Sequence, residues 1–317
     1  MGTKNYTYSI IIPHKNTPVL LQRCLDSIPH REDLHIIVVD DNSDSDKVDF
    51  EQFPGYDRDD VELIFTKEGK GAGYARNVGL AHADCKMVLF ADADDFFNYC
   101  LSEVLDEYKD KSYDISFFNA SSSDSDNYTN TNRANYLNSI INLYDNNPQE
   151  AILYLKYDCG YPWAKIIRKD IIDNHQITFD EIIIQNDTKF SYLVGHYANN
   201  IKVDHRAIYC ITYQPSSITY TLTDEKYLTR MHVIGKRDQF LRSHHVELPS
   251  FRKYTLRNLV EIKELGKDEL YKKSIDVLKM YDIDPISTDK EVAKILKRKR
   301  KNNIRRKINL TIKRIFK

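Results

Sequence analysis

Apolar residues in the first hundred positions gather into four short runs: Tyr8 to Ile12, Leu34 to Val39, Val61 to Phe65 and Val88 to Ala91. All four read as strands, and the second and fourth suit strands covered on both faces. Between the first two, Leu21, Cys24, Leu25 and Ile28 mark one face of a helix that starts at Asn16-Thr17-Pro18 and ends before Pro29. Between the last two, a glycine-studded loop leads into a helix from about Tyr74 to Ala83. Strands alternating with helices predict an α/β fold whose sheet is mostly parallel, joined by right-handed crossovers. Asn119 to Asn135, with Ser121-Ser122-Ser123, is rich in Ser, Asp, Asn and Thr and predicts a solvated loop or insertion hairpin. Tyr161 to Tyr192 is mixed but apolar enough to fold. Beyond about Thr221 the spacing becomes helical, best over Tyr254 to Leu265 and Lys267 to Met280, which predicts a helical C-terminal appendage. The expected division is an α/β domain over 1–220, a helical region over 221–291 and a tail over 292–317.

Charge changes the picture of that tail. The chain has 46 Lys or Arg and 47 Asp or Glu, yet 12 of the basic residues and no acid fall between Lys294 and Lys317. The remainder therefore carries 34 basic residues against 47 acidic ones, a strongly acidic body with a basic end. Within the tail, Ile304, Ile308, Ile312 and Ile315 recur at helical spacing among Arg305, Arg306, Lys307, Lys313 and Arg314. A basic helix with an apolar stripe suits an anionic membrane surface. A solubilising tail docked on the acidic body, or a nucleic-acid patch, are the alternatives. Phe316 alone offers a ring for base stacking, so nucleic acid is not the expected partner. There is no run of about 18 apolar residues and no signal-peptide pattern, so the expected location is the cytoplasm, peripheral to the inner face of the membrane. The cysteines, 5 in all and without a CxxC, read as reduced packing residues.

The densest chemistry closes the fourth strand: Asp92-Ala93-Asp94-Asp95. Three carboxylates in four residues repel one another, and a hard divalent ion, Mn²⁺ or Mg²⁺, would compensate them. An acid-rich helix start would use the same residues for capping. A second acidic pair, Asp40-Asp41, closes the second strand, and parallel strands bring both clusters to one edge, where open α/β sheets place ligands. Between them runs Lys70-Gly71-Ala72-Gly73-Tyr74-Ala75-Arg76-Asn77-Val78-Gly79. Its glycines permit close backbone approach, and Arg76 in the first helical turn suits an anion. The loop is neither a dinucleotide fingerprint nor a Walker loop, since Arg76 stands at the final glycine position and the loop follows the third strand.

Ser9-Ile10-Ile11-Ile12-Pro13 with Asn16, Val38-Val39-Asp40-Asp41-Asn42-Ser43, Ala75-Arg76-Asn77-Val78-Gly79-Leu80 and Phe90-Ala91-Asp92-Ala93-Asp94-Asp95 together resemble the landmarks of the GT-A glycosyltransferases of family 2, in order and at normal spacing. The resemblance implies a GT-A, Rossmann-like fold and a metal-dependent inverting transfer from a nucleotide-sugar donor, best guessed as a UDP-sugar, to a glycan or lipid-linked acceptor in cell-surface polysaccharide synthesis. It implies a nucleotide site of Pro13, His14, Asn16, Asp41, Lys70, Arg76, Asp92, Ala93, Asp94 and Asp95. Asp41 would contact the base, Asp92 and Asp94 the metal, and Asp95 the donor sugar. In the family a Glu-Asp pair holds the general base. Here Trp163-Ala164-Lys165 and Ile177-Thr178-Phe179-Asp180-Glu181 precede Gln185-Asn186-Asp187, so Asn186 replaces the Glu and Asp187 is the expected base. That replacement motivates a second reading, a non-catalytic nucleotide-sugar-binding subunit of a synthesis complex. A sugar-phosphate nucleotidyltransferase would need a glycine-rich signature where Pro13-His14-Lys15-Asn16 stands.

Overall fold

A computed structural model describes residues 6–214 and 223–315, the side chains of 249 and 303–315 excepted. Two compact units emerge, Met1–Thr221 and Leu222–Lys317. The first opens with β1 (Tyr6–His14), α1 (Pro18–Asp26), β2 (Leu34–Asp41), β3 (Val61–Thr66), α2 (Ala72–His82) and β4 (Cys85–Phe90). β3, β2, β1 and β4 pair in that order, all parallel. Ile10, Ile11, Ile12, Ile36, Ile37, Val38 and Val39 are fully buried, as expected of strands covered on both faces. Helix α2 lies close on the sheet because Gly79 has no side chain: a Cβ there would stand 2.5 Å from Ile11 Cγ2.

The chain then adds β5 (Phe96–Phe97), α3 (Leu101–Tyr108), β6 (Ile115–Asp124), α4 (Asn135–Leu143), α5 (Pro148–Tyr157), β7 (Lys165–Arg168), α6 (Lys169–Asn174), α7 (Thr188–Tyr197) and β8 (Ile201–Tyr213). The sheet continues past β4 with β7, β6, β8 and β5. β7 is antiparallel to both β4 and β6, and β8 runs parallel to β6. β6 and β8 therefore point the same way as β1, β2 and β4, and their carboxyl ends share one edge. The mixed α/β sheet with flanking helices is the GT-A architecture that the motifs implied.

The serine-rich stretch corrects one expectation. Ser121-Ser122-Ser123 is not loop but the end of β6, with Ser122 and Ser123 buried. Their hydroxyls find partners inside: Ser122 donates to the Thr131 carbonyl at 2.8 Å, and Ser123 Oγ lies 3.5 Å from Cys210 Sγ. A strand can bury hydroxyls when each is bonded. The turn follows at 125–127, and Ser123 bridges Asn130 to close a short hairpin.

The second unit is helical: α8 (Asp224–Ser243), α9 (Pro249–Glu264), α10 (Asp268–Lys279) and α11 (Pro285–Ile315). Gly235 on α8 lets the Tyr281 ring press on the backbone, since a Cβ would stand 2.1 Å from it. α11 runs without interruption across 291 and 292, and Val292 is buried. The isoleucine stripe of the tail lies outside the described side chains, and Phe316 and Lys317 lie outside the described residues. No helix among the described residues is long and apolar enough to cross a membrane.

Candidate active site

The end of β1 places Pro13 and His14 between the acids of β2 and those following β4. The His14 side chain is fully buried. Its Nδ1 lies 2.7 Å from Asp40 Oδ2, and its Nε2 accepts the Thr17 N–H at 3.1 Å. Those partners place the proton on Nδ1, so the ring ties β1 to β2 as a neutral bridge. Burial alone would raise the Asp40 carboxyl, but bonds from His14 and Ser43 outweigh it and hold the group below the usual range. Asn16, at φ 59°, donates to Asp44 at 3.0 Å and accepts from its N–H at 2.7 Å, stapling the loop after β1 to the loop after β2.

Asp41 takes a different position. Its carboxylate accepts the N–H groups of Lys70 at 3.1 Å and Gly71 at 2.6 Å. It therefore shapes the loop from which α2 starts. Gly71 adopts φ 94°, a region open to glycine, and Lys70 is exposed, its Nζ 4.8 Å from the Tyr74 ring centre. One turn into α2, the buried Arg76 donates to Asp92 Oδ1 at 2.5 Å and to Asn186 Oδ1 at 2.8 Å. Its Nε is buried and unbonded among the described residues. Arg76 thus joins the acids after β4 to the loop that carries the expected base.

Asp92, Asp94 and Asp95 each offer a carboxylate oxygen, and these atoms all lie within 4.8 Å of one another. An all-oxygen donor set of this size fits a hard divalent cation. Ala93 is buried between them. Burial, then the Asp92 charge, raises Asp94; burial, then Asp94 and Asp92, raises Asp95 further. Asp95 is buried and anchored: it accepts from the Tyr209 hydroxyl at 3.0 Å and the Thr212 N–H at 2.7 Å. Tyr209 Oη also accepts the Asp92 N–H at 2.8 Å. Arg23 of α1 reaches the Asp94 carbonyl at 2.5 Å. Arg23, Tyr209 and Thr212 escaped the sequence reading, because each stands more than 70 residues from the acid it bonds and carries no local motif.

Asp187 is half-buried at the N-cap of α7, yet its side chain makes no capping bond. Burial pushes its carboxyl up to about 6, with Arg76 lowering it, Asp92 raising it and Lys165 lowering it. Lys165 is itself buried and brought down to about 8, and donates to the carbonyls of Cys159 at 3.0 Å and Tyr161 at 2.5 Å. Trp163 stacks between Tyr161 at 3.9 Å and Tyr209 at 5.6 Å. Two residues here, Ala164 at φ 54° and Gln185 at φ 55°, sit in the left-handed region without being glycine. Gly73 admits to α2 the loop that leads to Asp187, since a Cβ would lie 2.1 Å from the Asp180 carbonyl oxygen.

Residues 9–176 match the family model for glycosyl transferase family 2. The chain belongs to that family. Asp187 lies past the end of the matched span. Among curated relatives, a poly(ribitol-phosphate) beta-glucosyltransferase of Bacillus spizizenii is 34% identical over 93 residues, 28% of this chain and 15% of that protein. A GalNAc(5)-diNAcBac-PP-undecaprenol beta-1,3-glucosyltransferase of Campylobacter jejuni is 37% identical over 90 residues, 27% of this chain and 29% of that protein. The match thus spans well under half the length of either relative. Among solved structures, S. aureus TarS 1-349 in complex with UDP-GlcNAc shares the fold at a TM-score of 0.62 and 19% identity, over 87% of this chain and 80% of that one. The mannosyltransferase PcManGT of Pyrobaculum calidifontis, in complex with GDP-Man and Mn²⁺, shares it at 0.51 and 13% identity, over 92% and 81%.

Proposed function

We propose that the chain is an inverting glycosyltransferase of cell-surface polysaccharide synthesis, moving a sugar from a UDP-sugar to a glycan or lipid-linked acceptor. The observation that carries this reading is the Arg76 bridge, which links the Asp92–Asp95 acids to the Asn186-Asp187 loop. A donor diphosphate and an acceptor hydroxyl would have to meet between those two elements. The glycosyltransferase relatives and the TarS likeness support the reading.

Each residue then has a task. Pro13, Asn16, Asp41 and Lys70 form the nucleotide side, where Asp41 sets the loop and His14 holds β1 to β2. Arg76, held between Asp92 and Asn186, would place its positive charge beside the diphosphate. Asp92 and Asp94, with Asp95 beside them, would hold Mn²⁺ or Mg²⁺, which supplies charge neutralisation for the departing diphosphate. Asp187 accepts the proton of the acceptor hydroxyl as that oxygen attacks the anomeric carbon from the face opposite the leaving group. A carboxyl near 6 suits this: ionised at neutral pH, yet more basic than an exposed aspartate. The basic end of α11 would hold the protein on an anionic membrane near a lipid-linked acceptor.

The test offers UDP-GlcNAc, UDP-glucose and GDP-mannose with MnCl₂ and follows nucleotide release with and without a glycan acceptor. Release abolished by EDTA and by Asp94→Ala supports the assignment. Full activity under both conditions sinks it. Asn186, in place of the family's Glu, favours one other reading, a nucleotide-sugar-binding subunit without turnover. Tight UDP binding with no release on any acceptor would select it.

A further inference from the structure

The hairpin after β6 carries a residue that folding alone does not account for. Tyr128 sits at φ 58°, a left-handed conformation that is a genuine outlier for a bulky side chain. Asn or Gly would fit such a turn without strain. The conformation is held by backbone bonds, Tyr128 N–H to Asp124 at 3.1 Å and Asp124 N–H to Thr129 at 2.8 Å. Yet the ring is 58% exposed, so its burial returns little. Ala164 and Gln185, the strained residues of the candidate site, belong to the loops that set Lys165 and Asp187. Such strain clusters at ligand sites as well as just past helix ends, where Gln176, His245 and Asp282 share it, and Tyr128 follows no helix.

The ring is tied to the metal-binding turn. Arg23 donates through Nη1 to Ser125 O at 3.0 Å and Oγ at 3.1 Å, and through Nη2 to the Asp94 carbonyl at 2.5 Å. Its guanidinium carbon lies 5.4 Å from the Phe96 ring centre and 6.0 Å from that of Tyr128. The two rings meet edge to face at 6.4 Å. One guanidinium thus fixes the hairpin and the acid turn together and supports the Tyr128 ring from within. The sheet order separates this ring from the nucleotide side: Asp41 closes β2 and Arg76 follows β3, whereas the hairpin closes β6, on the other side of β4 and its acids.

We propose that the exposed Tyr128 ring is a stacking platform for a pyranose ring of the acceptor glycan, held beside the Asp92–Asp95 turn by Arg23. The apolar C–H face of a pyranose lies flat on an aromatic ring while its hydroxyls stay in water. The identity of that sugar as acceptor rests on the transferase reading; the stacking itself does not.

The test therefore reads binding apart from turnover. Saturation-transfer NMR on the full chain, with methyl β-glucoside and the methyl β-glycosides of GlcNAc and GalNAc, is compared with UDP calorimetry. The expected result is transfer to at least one glycoside in wild type and in Tyr128→Phe. In Tyr128→Gly that transfer falls at least fivefold, UDP affinity stays within twofold, and the melting temperature holds or rises as the strain is relieved. Equal transfer to wild type and Tyr128→Gly overturns the proposal, as does no transfer to any glycoside at millimolar concentration. A fall in UDP affinity in Tyr128→Gly also overturns it, placing the ring on the nucleotide side. If wild type releases no nucleotide but Tyr128→Gly still loses the glycoside, the transferase reading fails and the platform stands.

Discussion

At the residue scale, the proposed role of Asp187 would couple activity to stability. Its folded carboxyl near 6 lies above the unfolded 3.8, so the fold binds more protons between these values and loses stability as pH rises from about 4 through 6. The loss is up to about 3 kcal/mol. Asp187→Asn should remove it: at pH 7 the melting temperature rises, and at pH 4 the gain disappears. Turnover should fall about 100-fold or more with UDP affinity unchanged. For wild type, kcat/KM should fall about tenfold per unit below pH 6, where the base becomes protonated. Lys165→Met removes a positive charge facing Asp187, so that limb should move to higher pH; an unmoved limb would make Lys165 purely structural. The acids of the DxD turn differ from one another. Asp94 is raised by burial and by Asp92, so Asp94→Asn should hold or raise metal-free stability. Asp92 pairs with the buried Arg76, so Asp92→Asn should cost about 1–2 kcal/mol by weakening that partner's compensation. Metal-free melting curves of the two variants decide this. The clustering of Asp92, Asp94 and Asp95 was legible because acids closing an apolar strand stand out locally, whereas Asp187 was singled out only through the family resemblance. Arg23, Tyr209 and Thr212 were not, because only the sheet order brings them to the acids.

At the element scale, close approach of backbones sets the site. The Asp41 carboxylate anchors the loop before α2, and Gly73 lets α2 meet the loop carrying Asn186 and Asp187. Gly73→Ala would drive a Cβ to 2.1 Å from a backbone oxygen, so the helix and that loop must part. It should therefore lower both the melting temperature and turnover, whereas Ala at Gly71, with nothing within 4 Å, meets only the strain of its φ of 94°. Activity and thermal melts of the two variants separate clash from strain. Wild-type turnover in Gly73→Ala would show that the contact between α2 and the loop before Asp187 does not matter for transfer. The buried runs of β1, β2 and β4 were legible because strands covered on both faces leave unbroken apolar stretches. The serines of β6 were not, because their buried hydroxyls are satisfied inside the fold, Ser122 by Thr131 across the hairpin and Ser123 by Cys210 of β8.

For the whole molecule, the segregation of charge was legible in the sequence, and the continuity of the last helix was not. A cut at 292 would remove the buried Val292 and the Lys299–Glu264 ion pair at 2.9 Å, both part of the helical unit. Removing residues 303–317 instead leaves those contacts in place. It takes away Arg305, Arg306, Lys307, Lys313, Arg314 and Lys317, each worth about 1 kcal/mol near an anionic surface, together with the isoleucine stripe. The exposed Lys297, Arg298, Arg300 and Lys301 remain. The truncated protein should therefore bind phosphatidylserine vesicles weakly and only at low salt, because its residual attraction is screened beyond about 10 Å at 0.1 M. The full chain should keep part of its binding in high salt through the apolar stripe. Activity toward a soluble acceptor should be equal in both, and activity toward a lipid-linked acceptor should drop with the truncation. If the full chain ignores anionic vesicles at low salt in a co-flotation assay, the membrane role is wrong, and the basic end docks on a protein partner or on its own acidic body.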